Sequence, residues 1–104
     1  MIENKYLLPS DKVFELVTDF KALGDEGRLK IILCLMQGKK SVGEISKITG
    51  FSQSATSHQL RILKDARILK VEKSGNLSYY FVADNHVRTI IDKSVEHLDC
   101  ECAL

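Results

Sequence analysis

Five residues near the end of the chain have side chains that bind transition metals. They are Asp84, His86, His97, Cys100 and Cys102, within the stretch DNHVRTIIDKSVEHLDCEC. Apolar residues recur here at helical spacing, and eleven residues of helix would separate the two histidines by roughly 16 Å. Because metal–ligand bonds are only about 2.0–2.3 Å long, the two histidines of one helix cannot share an ion. These residues are either a metal site or only polar residues on the surface of a helix.

The composition is that of one globular domain over residues 1–104. Hydrophobic residues make up 44% and charged residues 28% of the chain, as is typical of folded soluble proteins. The longest apolar run, residues 31–36, is far shorter than the ~18 residues that cross a bilayer. The N-terminus also lacks a signal-peptide core. We therefore expect a cytoplasmic protein with no membrane partner, in which the three cysteines are reduced thiols.

Charge is distributed unevenly along the chain, although the net charge is only +1. Residues 39–83 contain eight Lys and Arg against three Asp and Glu, whereas residues 84–104 contain two against five. A basic middle favours contact with a polyanion, with ordinary solvated surface as the alternative.

Two helices are predicted in the first third of the chain. The first has Ser10 as its N-cap and ends at Gly24, and the second runs over residues 25–37 and ends at Gly38. The second is expected to bury four apolar residues, Leu29, Ile32, Leu33 and Met36. Cys34, within the same run, is expected to be a small core residue rather than a ligand.

Two short helices joined by a tight turn come next. Ser41 and Glu44 have the spacing of a capping box at the start of the first helix, and Gly50 ends it. Its buried face is expected to carry three residues, Val42, Ile45 and Ile48. Ser52 is the predicted N-cap of the second helix. A short helix, a glycine turn and a second helix are typical of a helix-turn-helix.

The apolar period then changes to that of strands. Residues 68–73 and 77–82 are rich in β-formers and flank a short loop that contains Gly75, which predicts a β-hairpin. Helical period returns in a last stripe, consisting of Val87, Ile90, Ile91, Val95 and Leu98. The whole order predicts a mainly α (α+β) winged helix-turn-helix, in which the hairpin is the wing and a helix flanks each end.

The second helix of the helix-turn-helix should lie in a major groove of double-stranded DNA, with its first residues at the base edges. The residues predicted to contact DNA there are Gln53, Ser54, Thr56, Ser57, His58 and Arg61. Side chains of Gln, Ser and Thr can hydrogen-bond base edges. A basic set is predicted to contact phosphates: Lys47, Lys64, Arg67, Lys70 and Lys73. The alternative is that the Ser/Thr-rich start only caps a helix.

Three stretches resemble the ArsR/SmtB family of metal-sensing winged-helix repressors: FKALGDEGRLKIILCL, SVGEISKITGFSQSATSHQLRILKDARIL and VEKSGNLSYYFV. The similarity runs from about residue 14 to residue 100. It implies a homodimer with the first and last helices at the interface, and repression of a metal efflux or storage operon that metal relieves. One departure is Gly27, where such sequences more often carry Thr or Pro. Another is the absence of cysteine from residues 42–46, where arsenic and cadmium sensors of this family often carry Cys-x-Cys.

In such a dimer the two histidines can meet. Eleven residues are just over three helical turns, so His86 and His97 lie within about 20° on one face. Antiparallel packing of two last helices would bring His86 of one chain beside His97 of the other. Cys100 shares the His97 face, and Asp84 can turn back at the helix start. The spacing resembles the C-terminal-helix site of the family's zinc sensors, with Cys100 where His or Glu is usual.

The predicted metal ligands are therefore Asp84 and His86 from one subunit and His97 and Cys100 from the other. Four N, O and S ligands suit tetrahedral Zn(II), while a thiolate also accepts Cd(II), Co(II) or Cu(I). Cys102 stays open as an alternative ligand. A second hypothesis is a repressor that answers to thiol oxidation or a metalloid through Cys100 and Cys102. An enzyme is not expected, because no nucleophile motif or phosphate loop is present and a catalytic metal needs an open position.

Overall fold

The computed structural model of the protein describes residues 4–99. Its elements are α1 (Ser10–Leu23), α2 (Glu26–Leu35), β1 (Lys40–Ser41), α3 (Val42–Thr49), α4 (Gln53–Asp65), β2 (Lys70–Ser74), β3 (Leu77–Phe81) and α5 (Asn85–Leu98). The predicted order of helices and hairpin is confirmed, and β1 is an addition that the sequence pattern did not predict. None of the helices within residues 4–99 combines the length and apolar character that spanning a bilayer requires.

The core lies where α2, α3 and α4 meet the ends of the strands. Its large side chains with 2% exposure or less are Ile31, Ile32, Leu35, Ile45, Leu60, Leu63, Leu69 and Val82. Cys34 is buried as predicted, and burial raises the pKa of its thiol. The predictions that Leu33 and Ile48 face the core are wrong, since these side chains are 41% and 60% exposed. In α2, the core-facing surface is the one that carries Ile31, Ile32 and Leu35, and Leu33 lies to one side of it.

The strands form one antiparallel sheet in the order β1-β3-β2. Ser74 pairs with Leu77 at the tip of the hairpin, and Lys40 of β1 pairs with Tyr80 of β3. Gly75 opens the two-residue turn with φ +64°, a conformation that glycine adopts without a Cβ penalty. The two-residue β1 escapes sequence prediction because it is too short to show any alternation.

Helix ends follow local capping chemistry with one exception. The Asp25 carboxylate accepts the Arg28 backbone N–H at the start of α2. The prediction of an N-cap at Ser10 is wrong: Ser10 is the first helical residue, and Pro9 precedes it without a side-chain cap. Proline already lacks an N–H and fixes a φ of −65° there, so the helix can begin directly after it.

The end of α4 has an unusual residue in a regular motif. The Arg67 N–H donates to the Lys64 carbonyl and the Ile68 N–H to the Leu63 carbonyl, each at 2.9 Å, which is a Schellman motif. The left-handed position of this motif normally holds glycine, but here it is Arg67, with φ +64°. Arg67 links the end of α4 to the hairpin.

Candidate DNA interface and metal-binding residues

Short-range hydrogen bonds build the helix-turn-helix, α3–turn–α4. Both capping-box bonds are present: the Ser41 N–H donates to Glu44 Oε1 at 2.9 Å, and the Glu44 N–H donates to Ser41 Oγ at 3.3 Å. The hydrogen bond from the Ser41 backbone, the largest cause, lowers the pKa of the Glu44 carboxyl. Gly50 ends α3 with φ +82°, and the Ser46 hydroxyl donates to the Phe51 carbonyl across the turn. Residue types in the sequence were sufficient to predict most of this turn.

The exposed face of α4 begins at its N-terminus. Ser52 caps the helix by accepting the Ala55 N–H at 3.0 Å. Five of the residues predicted to contact DNA on α4 are exposed: Gln53, Ser54, Ser57, His58 and Arg61. The opposite face buries Leu60 and Leu63 completely, so α4 presents one polar side to solvent along its whole length.

Thr56 is the exception among the predicted DNA contacts. Its side chain has 0% exposure, and its hydroxyl donates to the Ser52 carbonyl at 2.8 Å. A buried hydroxyl that is already hydrogen-bonded cannot reach a base edge, so Thr56 belongs to the core and not to the interface. The sequence did not show this, because Thr is as suitable for a groove as for a buried helix position with a backbone acceptor.

Four of the five predicted phosphate contacts lie at the end of α4 and on the wing, and the fifth, Lys47, is exposed on α3. Lys64, Lys70 and Lys73 are exposed, with Lys70 and Lys73 on β2. Glu72 lies between them in sequence, and its Oε2 accepts a hydrogen bond from Nζ of Lys39 at 2.7 Å. This hydrogen bond raises the pKa of Lys39. The wing therefore has a paired acidic residue within a mainly basic strand.

The first two predicted metal ligands lie together at the start of α5. Asp84 is the N-cap residue, and its Oδ1 accepts the His86 backbone N–H at 2.7 Å. The same oxygen lies 3.2 Å from Nδ1 of the His86 ring. The His86 side chain is 96% exposed, and that of Asp84 is 48% exposed. The hydrogen bond from the His86 backbone, the largest cause, lowers the pKa of the Asp84 carboxyl, so it is an anion at neutral pH.

The other two predicted ligands are not brought to this pair within one chain. His97 is exposed near the other end of α5, and Cys100 lies outside the described residues, as does Cys102. Within residues 4–99, no group of three or more His, Cys, Asp or Glu residues could hold a metal ion. Within residues 4–99 of one chain, the structure brings only Asp84 and His86 of the predicted ligands together.

A large apolar surface lies on α1 and α5. Residues 10–21 of α1 are all exposed. Five apolar side chains of α1 are between 41% and 71% exposed: Val13, Phe14, Leu16, Val17 and Phe20. On α5, Ile90, Val95 and Leu98 are 39%, 44% and 82% exposed. A cleft of about 670 Å³ lies between α1, the α4–β2 connection and the start of α5, and both Asp84 and His86 line it.

Comparison with known proteins agrees with this architecture. The family model for the arsR family of bacterial regulatory proteins matches residues 25–71. The chain is 35% identical over 88 residues to the transcriptional repressor SmtB homolog of Synechocystis sp., covering 85% of this chain and 67% of that protein. It is 39% identical over 79 residues to the cadmium resistance regulatory protein CadC homolog of Staphylococcus aureus, covering 75% and 65%. The chain thus spans about two thirds of the length of these curated relatives.

Solved structures share the fold. The homodimeric winged helix-turn-helix DNA-binding domain Mb0332 of Mycobacterium bovis superposes with a TM-score of 0.83, at 22% identity, covering 98% of this chain and 94% of that one. The antimony-specific transcriptional repressor AntR gives a TM-score of 0.81 at 27% identity, covering 94% and 89%.

The fold and the α3–α4 geometry define a winged helix-turn-helix protein. The chain belongs to the ArsR family of bacterial transcriptional regulators. Its relatives are named as regulators and repressors, and this agrees with the prediction that the chain is not an enzyme.

Proposed function

We propose that this protein is a metal-responsive transcriptional repressor that binds operator DNA as a homodimer and is released by Zn(II) or a similar ion. The observation that carries the proposal is the Asp84–His86 pair, 3.2 Å apart on an exposed helix start beside an apolar surface. The proposal also takes support from relatives that are named as a cadmium resistance regulator and an antimony-specific repressor.

A second copy of the chain is the proposed cover for the apolar faces of α1 and α5. Soluble proteins rarely leave an apolar patch of more than a few hundred Å² exposed unless it is a binding surface. The related Mycobacterium bovis domain is described as homodimeric. In the proposed dimer the apolar side chains of α1 and α5 are buried between the two copies, and the two α4 helices read two half-sites.

The proposed metal ligands are Asp84 and His86 of one subunit and His97 and Cys100 of the other. Carboxylate, imidazole and thiolate donors suit Zn(II), and the thiolate extends the range to Cd(II) and Co(II). The ion would tie the two α5 helices together and bias the dimer toward a geometry that fits adjacent major grooves less well. Such coupling is typically about 1–3 kcal/mol and reciprocal, so DNA should weaken metal binding by the same factor.

The proposed DNA contacts are the exposed residues of α4 and the wing. Base edges would be read by Gln53, Ser54 and Ser57, with His58 and Arg61 beside them. Lys64, Lys70 and Lys73 would contact phosphates, which fixes the register without selecting a sequence.

Operator binding in the presence of different effectors tests the proposal. A duplex selected by the metal-free chain from a random pool would be titrated with Zn(II), Cd(II), Co(II), Ni(II) and arsenite in turn. We expect at least one divalent ion to weaken binding about 5- to 150-fold. Release by an oxidant and by no metal would favour the thiol-based alternative. Tighter binding with every effective ion would mean that the metal acts as a corepressor.

The electronic spectrum of bound Co(II) tests the ligands. Cys100→Ser should abolish the sulfur-to-metal charge-transfer band in the near ultraviolet, because only a thiolate gives it, and Cys102→Ser should retain most of it. His97→Ala should abolish the metal response and leave DNA affinity unchanged. Loss of the band in Cys102→Ser alone would assign the thiolate to Cys102.

A further inference from the structure

Arg28, in the first turn of α2, joins three helices through its side chain. Its Nε donates to the Ala22 carbonyl at 2.9 Å, and Nη2 donates to the Lys21 carbonyl at 3.3 Å, both in the last turn of α1. Its Nη1 donates to Oε1 of Gln59 on α4 at 3.2 Å. The Arg28 backbone N–H also donates to the Asp25 carboxylate at 3.0 Å, so the backbone of Arg28 is held as well as its side chain.

The connection matters because α1 has few others. Of the fourteen residues of α1, only Ala22 is buried, and Leu23 is half-buried. Residues 10–21 are all exposed, although several of them line the cleft beside the start of α5. The last turn of α1 is tied to α2 by hydrogen bonds, since the Arg28 guanidinium binds two consecutive carbonyl groups there.

The other end of the connection lies on the helix that carries the proposed base contacts. Gln59 is half-buried and adjoins exposed His58 in sequence. Its amide lies against the start of α2, where a Cβ atom at Gly27 would be 3.4 Å from Nε2. Gln59 thus lies in the contact between α2 and α4, and Arg28 orients its amide oxygen.

We propose that Arg28 is a positioning residue that fixes the proposed dimer helix α1 relative to the recognition helix α4. The inference rests on the proposed function, in which α1 pairs two subunits and α4 reads DNA. Two half-sites on one side of B-DNA are about 34 Å apart, so a dimer binds both only if each α4 keeps its distance from the dimer axis. When fewer dimers have that spacing, apparent affinity falls by the same fraction.

Arginine is suited to this role, and lysine is not. The planar guanidinium has five N–H donors in a rigid fork, and here it donates to acceptors on two helices at once. A lysine ammonium keeps the charge, but it lacks the planar fork whose three nitrogens each donate to a different acceptor here. Arg28→Lys therefore removes the connection and leaves the net charge unchanged.

The test compares a duplex carrying both half-sites with one in which a half-site is scrambled. Both derive from a sequence that the wild-type chain selects from a random pool. We expect Arg28→Lys to lower affinity for the two-site duplex about tenfold or more, since only dimers with the right spacing can bind both half-sites. Affinity for the one-site duplex should stay within about twofold, because a single α4 needs no spacing. The salt dependence should not change, since no phosphate contact is lost.

Gln59→Met gives a second variant in case the first is unstable, and it should show the same selective loss. The double variant should bind no worse than either single one, because both break one connection. Lys30→Gln, on the exposed side of α2, is the control and should leave the affinity ratio of the two duplexes unchanged.

Equal losses on both duplexes, no loss on either, or loss of the dimer in sedimentation would each overturn the proposal. A wild-type chain that sediments as a monomer would instead remove the proposed function itself.

Discussion

Oδ1 of Asp84 lies 3.2 Å from Nδ1 of His86 and also accepts the backbone N–H of that histidine at 2.7 Å. One carboxylate therefore starts helix α5 and stands beside an exposed imidazole. The two roles can be separated by substitution, because a cap needs a hydrogen-bond acceptor whereas a metal ligand at this position also benefits from negative charge.

Asp84→Asn should retain the cap and weaken the proposed metal site. Asn and Asp cap helices about equally well, whereas Asp84→Ala should lower the thermal unfolding temperature because the cap is lost. We expect both variants to lose at least about tenfold in Zn(II) affinity if the carboxylate is a ligand or orients His86. Isothermal titration together with thermal unfolding measures the two effects. Asp92→Asn on α5 is the control, and equal metal affinity in Asp84→Asn and wild type would exclude Asp84 from the site.

Acid should destabilise the fold partly through Glu44 and Asp84. Hydrogen bonds lower the pKa of each carboxyl from its ordinary value of 4.5 or 3.8 in the folded state. As pH falls through those values, the unfolded chain binds protons before the folded chain does. The stabilisation is therefore present above the unfolded pKa and is lost as pH falls through the folded pKa.

Glu44→Gln isolates one of these contributions. Glutamine can keep the capping-box geometry, so the loss of stability between about pH 5 and pH 2 should be shallower than in wild type. Chemical denaturation at a series of pH values measures it. Glu96→Gln, which removes an exposed ion pair with Lys93 on α5, serves for comparison. A profile for Glu44→Gln as steep as that of wild type would contradict the prediction.

Ser54 and Thr56 should respond to substitution in different ways, although both are hydroxyl residues in the first turn of α4. Ser54→Ala should change base preference by about 1–3 kcal/mol at one position of the selected duplex. Thr56→Val should cost about 1 kcal/mol of stability, because it removes the bond to the Ser52 carbonyl, and leave base preference unchanged. Lys70→Ala should weaken binding to all sequences and flatten the salt slope. Altered base preference in Thr56→Val would show that this residue reaches the groove.

Arg67 and Gly50 provide a pair of substitutions with opposite expected signs. Arg67 has φ +64° and Gly50 has φ +82°, and only glycine adopts such angles without a Cβ penalty. Arg67→Gly should stabilise the fold by about 1 kcal/mol, and Gly50→Ala should destabilise it by a similar amount. Nothing lies within 4 Å of a Cβ atom at Gly50, so its cost is one of backbone conformation alone. Thermal unfolding measures both, and destabilisation by Arg67→Gly would mean that the Arg67 side chain makes a stabilising contact.

Features that depend on neighbours in the chain were predictable. The capping box at Ser41 and Glu44, the cap at Ser52 and the turns at Gly50 and Gly75 each involve residues at most five positions apart. Hydrogen bonds over so short a distance are largely independent of the rest of the fold. Pairing of Asp84 with His86 was predictable for the same reason, since a helix N-cap accepts backbone N–H groups of the first turn.

The sequence by itself determined the order of helices and hairpin and the residue types at the start of α4. Only the tertiary structure decided which side of each helix is buried, because that depends on which elements surround it. Thr56 is therefore a core residue, Leu33 and Ile48 are exposed, and the apolar stripe of α1 is left without cover in one chain. Arg28 is a similar case: its acceptors lie 6, 7 and 31 residues away. No local pattern can specify a contact that forms only after three helices have packed.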